Sequence, residues 1–357
     1  MALGDSISAG LFAKSTREGP LSRPSPPPPS LHVADEQQLP LGSKPILSSL
    51  IAIDEYRGVS YPTGNDPGAI TIASILSRYS PNLTGVSTGH HPPITCVGPV
   101  CQRPERDGLN VAVSGSLSAS LLGQVRDYLI PTIEAMDLNR EDWKYVNLGI
   151  GANDVCDYCF SPNLTEPTND GALTGTAAEF ARGIKDALEL LRKHVPHVIV
   201  NIIGILKVSS IYDMVVSDPY CSAPLPPILP HLPLECSCAL LPGPAGELTR
   251  KKMDQLGEAY DEAVLELIRE WDEEDDPSFG ATWQPGKALN LSNWPIKALS
   301  PVDCFHPSEE AHQRVAACFW NRLTLGLEEK EVPIDWEDEV MVRCLEEGDR
   351  IPVGVPR

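Results

Sequence analysis

Three shortages bound this chain of 357 residues before any motif is read. No run approaches the ~18 consecutive apolar residues of a membrane-spanning helix, so such a helix is excluded from these residues. Positive charge is scarce: 28 Lys and Arg stand against 49 Asp and Glu, a formal net charge of −21. Nucleic-acid binding needs a basic footprint that displaces counterions, and docking on an anionic bilayer needs cationic segments. The charge argues against a nucleic-acid partner and against electrostatic docking on an anionic bilayer, and the acidic excess serves solubility. No internal repeat is present, and no export signal stands ahead of the first apolar residues.

What is present is a globular composition, with 42% hydrophobic residues. The expected organisation is one domain over residues 1–327, followed by an acidic extension, 328–357. That extension is read as solvated, and as tied down if Cys344 is bridged. Ten cysteines occur, and six form local pairs: Cys96 and Cys101, Cys156 and Cys159, Cys236 and Cys238. Cys221, Cys304, Cys318 and Cys344 complete the set. The C-x-x-C and C-x-C spacings suit either a four-thiolate zinc site or a disulfide set formed in an oxidising compartment. Three glycosylation sequons, at Asn82, Asn163 and Asn290, favour disulfides and a secreted protein. Secretion and the missing export signal conflict. The expectation is therefore a truncated N-terminus, with Ala2-Leu3 as the stub of a longer first strand.

Along the chain, residues 20–30, "PLSRPSPPPPS", cannot be helix or central strand and mark a surface insertion over 18–45. Beyond it, strands and helices alternate. "AITIASILSRYSP" (69–81) has helical spacing, "LNVAVSG" (109–115) is a short apolar run, and a helix is predicted over 118–135. "WKYVNLGIGAND" (143–154) and "HVIVNIIGILKV" (197–208) read as buried parallel strands. Between them Thr176 and Glu179 form a capping box that launches a helix ending before Pro196. A Cys/Pro-rich excursion (219–246) precedes a long helix from Leu248 to about Trp271. A last helix follows "DCFHPSEE", with Pro307 in its first turn and Glu309-Glu310 at the positive end of its dipole. This alternation predicts an α/β fold with a parallel sheet covered on both faces, whose chemistry gathers at the carboxyl ends of the strands.

Three polar turns follow apolar runs: Gly4-Asp5-Ser6, Ser114-Gly115-Ser116 and Gly151-Ala152-Asn153-Asp154. A parallel sheet brings all three to one edge. Asp303 and His306 are three residues apart, near enough for the carboxylate to hold the imidazole in one tautomer. Together these are the parts of a nucleophilic ester hydrolase: Ser6 attacks, His306 takes its proton, and Asp303 orients the ring. The amides of Ser6 and Gly115 and the side-chain amide of Asn153 can form the oxyanion hole. Asp5 and Asp154 are read as braces of their turns. A short Cys156–Cys159 disulfide would stiffen the Asn153 loop. His312 is expected on the surface, and His90-His91 in a loop rather than a metal site. Trp283, Trp294 and Ile296 are read as core residues, with a lipid-facing lip as the alternative.

"LGDSISAG" (3–10), "LNVAVSGS" (109–116), "LGIGAND" (148–154) and "DCFH" (303–306) resemble the four blocks of the GDSL, or SGNH, hydrolase superfamily. "EYRGVSYPTGND" (55–66), "EDWKYVNLGIGANDVCDYC" (141–159), "PVDCFH" (301–306) and "FWNRL" (319–323) resemble its phospholipase B-like branch in order and spacing. The resemblance spans residues 1–10 and 46–325. It departs from the family pattern at Ile7, Ala152 and Pro307, none of which is a reacting group. It implies a flavodoxin-like three-layer α/β/α sandwich, no metal or other cofactor, and catalytic residues Ser6, Asp303 and His306 with an oxyanion hole of Ser6, Gly115 and Asn153. It also implies deacylation of phospholipids, lysophospholipids or other lipid esters. A monomer in transient contact with a membrane or micelle surface is the expected form. Two alternatives stand beside this reading: a GDSL esterase acting on small acetyl, aryl or carbohydrate esters, and a catalytically silent secreted binding protein.

Overall fold

The computed structural model describes residues 1–14, 53–93, 103–160, 175–222 and 236–355. The Pro-rich insertion, Cys96, Cys101, the Asn163 sequon and residues 223–235 of the excursion lie outside the described residues. Four parallel strands form the sheet: β1 (Ala2–Gly4), β2 (Lys144–Gly149), β3 (Val198–Ile203) and β4 (Phe279–Gln284), paired in that order. The register aligns Ala2 with Asn147, Asn147 with Asn201, and Asn201 with Thr282. The apolar runs of β2 and β3 are buried because helices cover both faces.

On one face lie α4 (Ala177–His194) and α6 (Gly243–Glu273), joined by the stacked rings of Phe180 and Tyr260. Phe279 sends its ring to Trp271 of α6. On the other face lies α7 (Glu309–Arg322), whose Phe319 carbonyl accepts a hydrogen bond from Gln284. The Thr176–Glu179 capping box starts α4 as its sequence specifies. Three short helices complete the frame around the site: α1 (Ser6–Ala9), α2 (Ile72–Leu76) and α3 (Ala152–Cys156). The α/β sandwich implied by the alternation is the fold observed. Between α4 and α6 along the chain, α5 (Val208–Val216) extends the β3 run into helix.

Four local differences have physical causes. The run 109–113 is not a regular strand, but it lines the outer edge of β1: Ala2 donates to Leu109, and Val111 and Val113 donate to Ala2 and Gly4. The strand β4 is invisible to periodicity because all six residues of Phe-Gly-Ala-Thr-Trp-Gln are buried. Its Gly280 is where another segment approaches, since a Cβ there would lie 2.6 Å from Val353. Ser308, not Pro307, caps α7, and Pro307 stands one residue outside the helix. Finally, the segment after Leu327 is tied down without a bridge: Cys344 is free and exposed. Backbone pairing of Ile334 with Ala288 and Asn290 holds it, as do Arg314 on the carbonyls of Glu337 and Asp338 and Trp320 on that of Arg343.

Candidate active site

The site begins where β1 runs into α1. Asp5 caps α1, its carboxylate accepting from the Ile7 amide at 3.0 Å, so Ser6 is held at the first helical position. The turn needs glycine at position 4, where φ is +148° and a Cβ would lie 2.2 Å from the Gly149 carbonyl. Burial pushes the Asp5 carboxyl up to about 6, against the opposing pull of the Ile7 amide and His306.

Ser6 Oγ lies 2.7 Å from Nε2 of His306, across 300 residues of chain. Nδ1 of His306 is hydrogen-bonded to Oδ2 of Asp303. The other oxygen of Asp303 accepts the amides of Phe305 (3.0 Å) and His306 (3.1 Å), which fixes carboxylate and ring on one tight turn. Within that turn Cys304 takes φ +55° and is bonded to Cys221. His306 is buried, with Phe12 and Phe305 edge-on to its ring. With Nδ1–H donating to the carboxylate, Nε2 faces Ser6 Oγ as the acceptor for the serine proton. The arrangement can deliver a serine alkoxide equivalent to a carbonyl carbon and return the proton to a leaving alcohol.

The other two turns meet the first through side-chain hydrogen bonds. Gln124, buried, accepts from the Gly4 amide (3.0 Å) and donates to the Gly4 carbonyl (2.7 Å) and to Ser116 Oγ (3.0 Å). Asn153 Nδ2 donates to the Ser116 carbonyl at 2.9 Å, leaving its second N–H uncommitted. Ser6, Gly115 and Asn153 are thus carried by segments linked to one another, with Ser116 at the junction. Gly115 is exposed, at φ +79°, and nothing lies within 4 Å of where its Cβ would be. Asp154 accepts from the Ser118 amide (3.1 and 3.2 Å) and hydroxyl (2.7 Å), as a brace should, and burial raises its carboxyl.

Several expectations are corrected here. Cys156 bonds Cys236 rather than Cys159, because it ends α3 pointing into the core, where the two Cα atoms come within 4.9 Å. Cys238 is disulfide-bonded as well, so these thiols are not held as a zinc set. His312 is not a surface residue: α7 turns it inward, its ring stacks on Tyr61, and Nδ1 accepts the Tyr61 amide at 3.3 Å. Burial pushes it down to about 3, so it is neutral. His90 and His91 pair with Asp54 and Asp107. Trp283 and Trp294 are core residues, and Ile296 packs half-buried against them.

Sequence reading missed Gln124, which ends a short helical turn, and the buried group of Glu55, Arg57, Asp107 and Asn110; single polar residues in short helical turns and irregular segments carry no periodic signal. It also missed the adjoining cavities of about 550 and 670 Å³, counted with their open mouths. Ile7, Ala152, Leu206, Leu289, Pro307 and Val315 wall both. Ile7 follows Ser6, Pro307 follows His306, and Ala152 precedes Asn153, so the apolar space is walled by the sequence neighbours of the polar centre.

The chain is similar to the membrane-associated phospholipase B1 of Homo sapiens, 27% identical over 301 residues that make up 81% of this chain and 19% of the relative. It resembles the phospholipase B1 of Mus musculus and Rattus norvegicus equally, 27% over 302 residues, 81% of this chain and 18% and 19% of those proteins. It therefore spans about a fifth of the length of these curated relatives. The family model of the GDSL-like lipases and acylhydrolases matches residues 1–319, and the chain belongs to that family.

Proposed function

We propose that this protein is a serine carboxylic-ester hydrolase that deacylates phospholipids or lysophospholipids. The observation that carries the reading is the Ser6–His306 contact of 2.7 Å, with apolar cavities opening at the very next residue of each partner. Such space suits a hydrocarbon chain, because each buried CH₂ contributes ~0.8 kcal/mol of transfer free energy. The similarity to phospholipase B1 over 81% of the chain supports the same substrate class.

Ser6 Oγ forms a bond to the ester carbonyl carbon while His306 Nε2 takes its proton and the carbonyl π pair moves onto oxygen. The amides of Ser6 and Gly115 and the side chain of Asn153 receive that oxyanion. Collapse expels the glycerol oxygen, which leaves with the proton from His306. A water molecule, deprotonated by the same imidazole, then cleaves the acyl-serine and releases the fatty acid. Asp303 holds the ring and balances its charge throughout. The Cys156–Cys236 and Cys221–Cys304 disulfides, the bonded Cys238 and the exposed Asn82 sequon support an oxidising, secretory location with a glycan at that asparagine.

A panel of p-nitrophenyl esters from acetate to palmitate, run with lysophosphatidylcholine and Ser6→Ala, tests this reading. Hydrolysis should extend to long chains and vanish in the variant. Activity confined to acetate would overturn the lipid substrate, and activity that survives Ser6→Ala would overturn the serine mechanism.

A further inference from the structure

The Gly115 amide has a problem of support. Gly115 is exposed at the tip of its turn, with nothing within 4 Å of where a Cβ would stand, yet an oxyanion donor must sit within a few tenths of an ångström of its place before reaction. Gln124 restrains the Ser116 side of the turn. On the other side, Ser114 Oγ donates to Oε1 of Glu55 at 2.6 Å.

Glu55 is itself fixed. It is 1% exposed, and its Oε2 accepts from Nε (3.1 Å) and Nη2 (2.6 Å) of Arg57. Arg57, equally buried, spends its remaining donors on the carbonyl and side chain of Asn110 and on the Ala112 carbonyl, at 2.9–3.0 Å. Asn110 Nδ2 in turn donates to the Ser8 carbonyl inside α1 at 2.9 Å, and α1 carries Ser6. The backbone around Glu55 reaches the same helix: Tyr56 donates to Gly10, and Phe12 donates to Asp54. A continuous buried chain, Ser114–Glu55–Arg57–Asn110–Ser8, thus joins the Gly115 turn to the nucleophile helix. Buried ion pairs contribute little net stability, so this one has its value in geometry.

We propose that Glu55 is a positioning residue that sets the Gly115 amide relative to Ser6, acting through the Ser114 hydroxyl. The inference rests on the serine-hydrolase reading above. Asp107, with Oδ2 3.4 Å from Arg57 Nε, keeps the guanidinium paired when Glu55 is changed, so Glu55→Gln is a usable variant.

The test measures kcat and KM on p-nitrophenyl butyrate, and the inhibition constant of an alkyl trifluoromethyl ketone, whose serine adduct places an oxyanion in the hole. Ser114→Ala should lower kcat about tenfold or more and weaken the ketone by the same factor, with KM within about twofold. Glu55→Gln should act in the same direction, and the double variant should be no worse than the poorer single one. A fold-only role would lower thermal stability without a matching loss of ketone affinity. Unchanged kcat and ketone affinity in Ser114→Ala, or losses that multiply in the double variant, would overturn the inference. Ser6→Ala separates the two failures: if it is inactive while Ser114→Ala matches wild type, only the role of Glu55 falls.

Discussion

Replacing Asn153 with alanine removes two hydrogen bonds of different kinds, and they can be measured separately. One Nδ2 proton goes to the Ser116 carbonyl at 2.9 Å and exists in the resting protein. The other is, on the proposed mechanism, offered to the oxyanion, which exists only during reaction. Loss of a reaction-only donor costs ~2.7–4 kcal/mol of transition-state stabilisation, a fall of about 10²–10³ in kcat. Loss of a resting hydrogen bond costs only ~1 kcal/mol, less where water can replace the donor. Asn153 is half-buried, so water can reach the freed carbonyl. In a domain somewhat smaller than this one, 1 kcal/mol moves Tm by about 2–4 °C. Asn153→Ala should therefore lose about two to three decades of kcat, hold KM, and melt only a few degrees early. Initial rates on p-nitrophenyl butyrate and a circular-dichroism melt give both values. A folded variant that keeps more than a tenth of wild-type kcat would refute the placement of Asn153 in the hole. A collapse in Tm would refute the division of labour between its two protons.

Packing around Asp261, whose carboxylate accepts the Ile205 amide at 2.9 Å, pushes its carboxyl up to about 7. The folded state then binds this proton more tightly than the unfolded chain, so stability falls as pH rises from about 4 to 7. Asp261→Asn keeps an acceptor oxygen and should flatten that slope, melting above wild type at pH 8 and not at pH 4; parallel slopes in urea titrations would refute the assignment. Cys221→Ser should free the loop that carries Asp303 and His306. By loop-closure entropy the bond contributes ~4 kcal/mol, so Tm should fall by about 10 °C. Rates measured well below the new Tm should also drop. Full activity there would mean that the bridge holds the fold but not the histidine.

The geometry of the candidate site was legible in the sequence because it is written in short, contiguous turns. Gly4-Asp5-Ser6 and Asp303–His306 each specify their own geometry through local hydrogen bonds, to the Ile7 amide in one case and to the Phe305 and His306 amides in the other. The sheet was legible through the apolar runs of β2 and β3. What escaped depends on partners far away. The six residues of β4 lack alternation because both faces are covered. His312 reads as polar and exposed until its ring meets Tyr61, which lies 251 positions earlier. Cys156 has a near neighbour in sequence and a better one in space. Gln124 joins Gly4 to Ser116 with a single amide, and no pattern in the chain announces it.

The contact across 300 residues between serine and imidazole has a bearing on biosynthesis. A ribosome delivers Ser6, the proposed nucleophile, 300 residues ahead of His306, its proposed base. No nascent product that stops before His306 can hold the pair, so on the proposed mechanism turnover requires synthesis at least that far. On that proposal, ester cleavage reports the joining of the two ends of the fold, read beside the burial of tryptophan fluorescence in the same refolding sample.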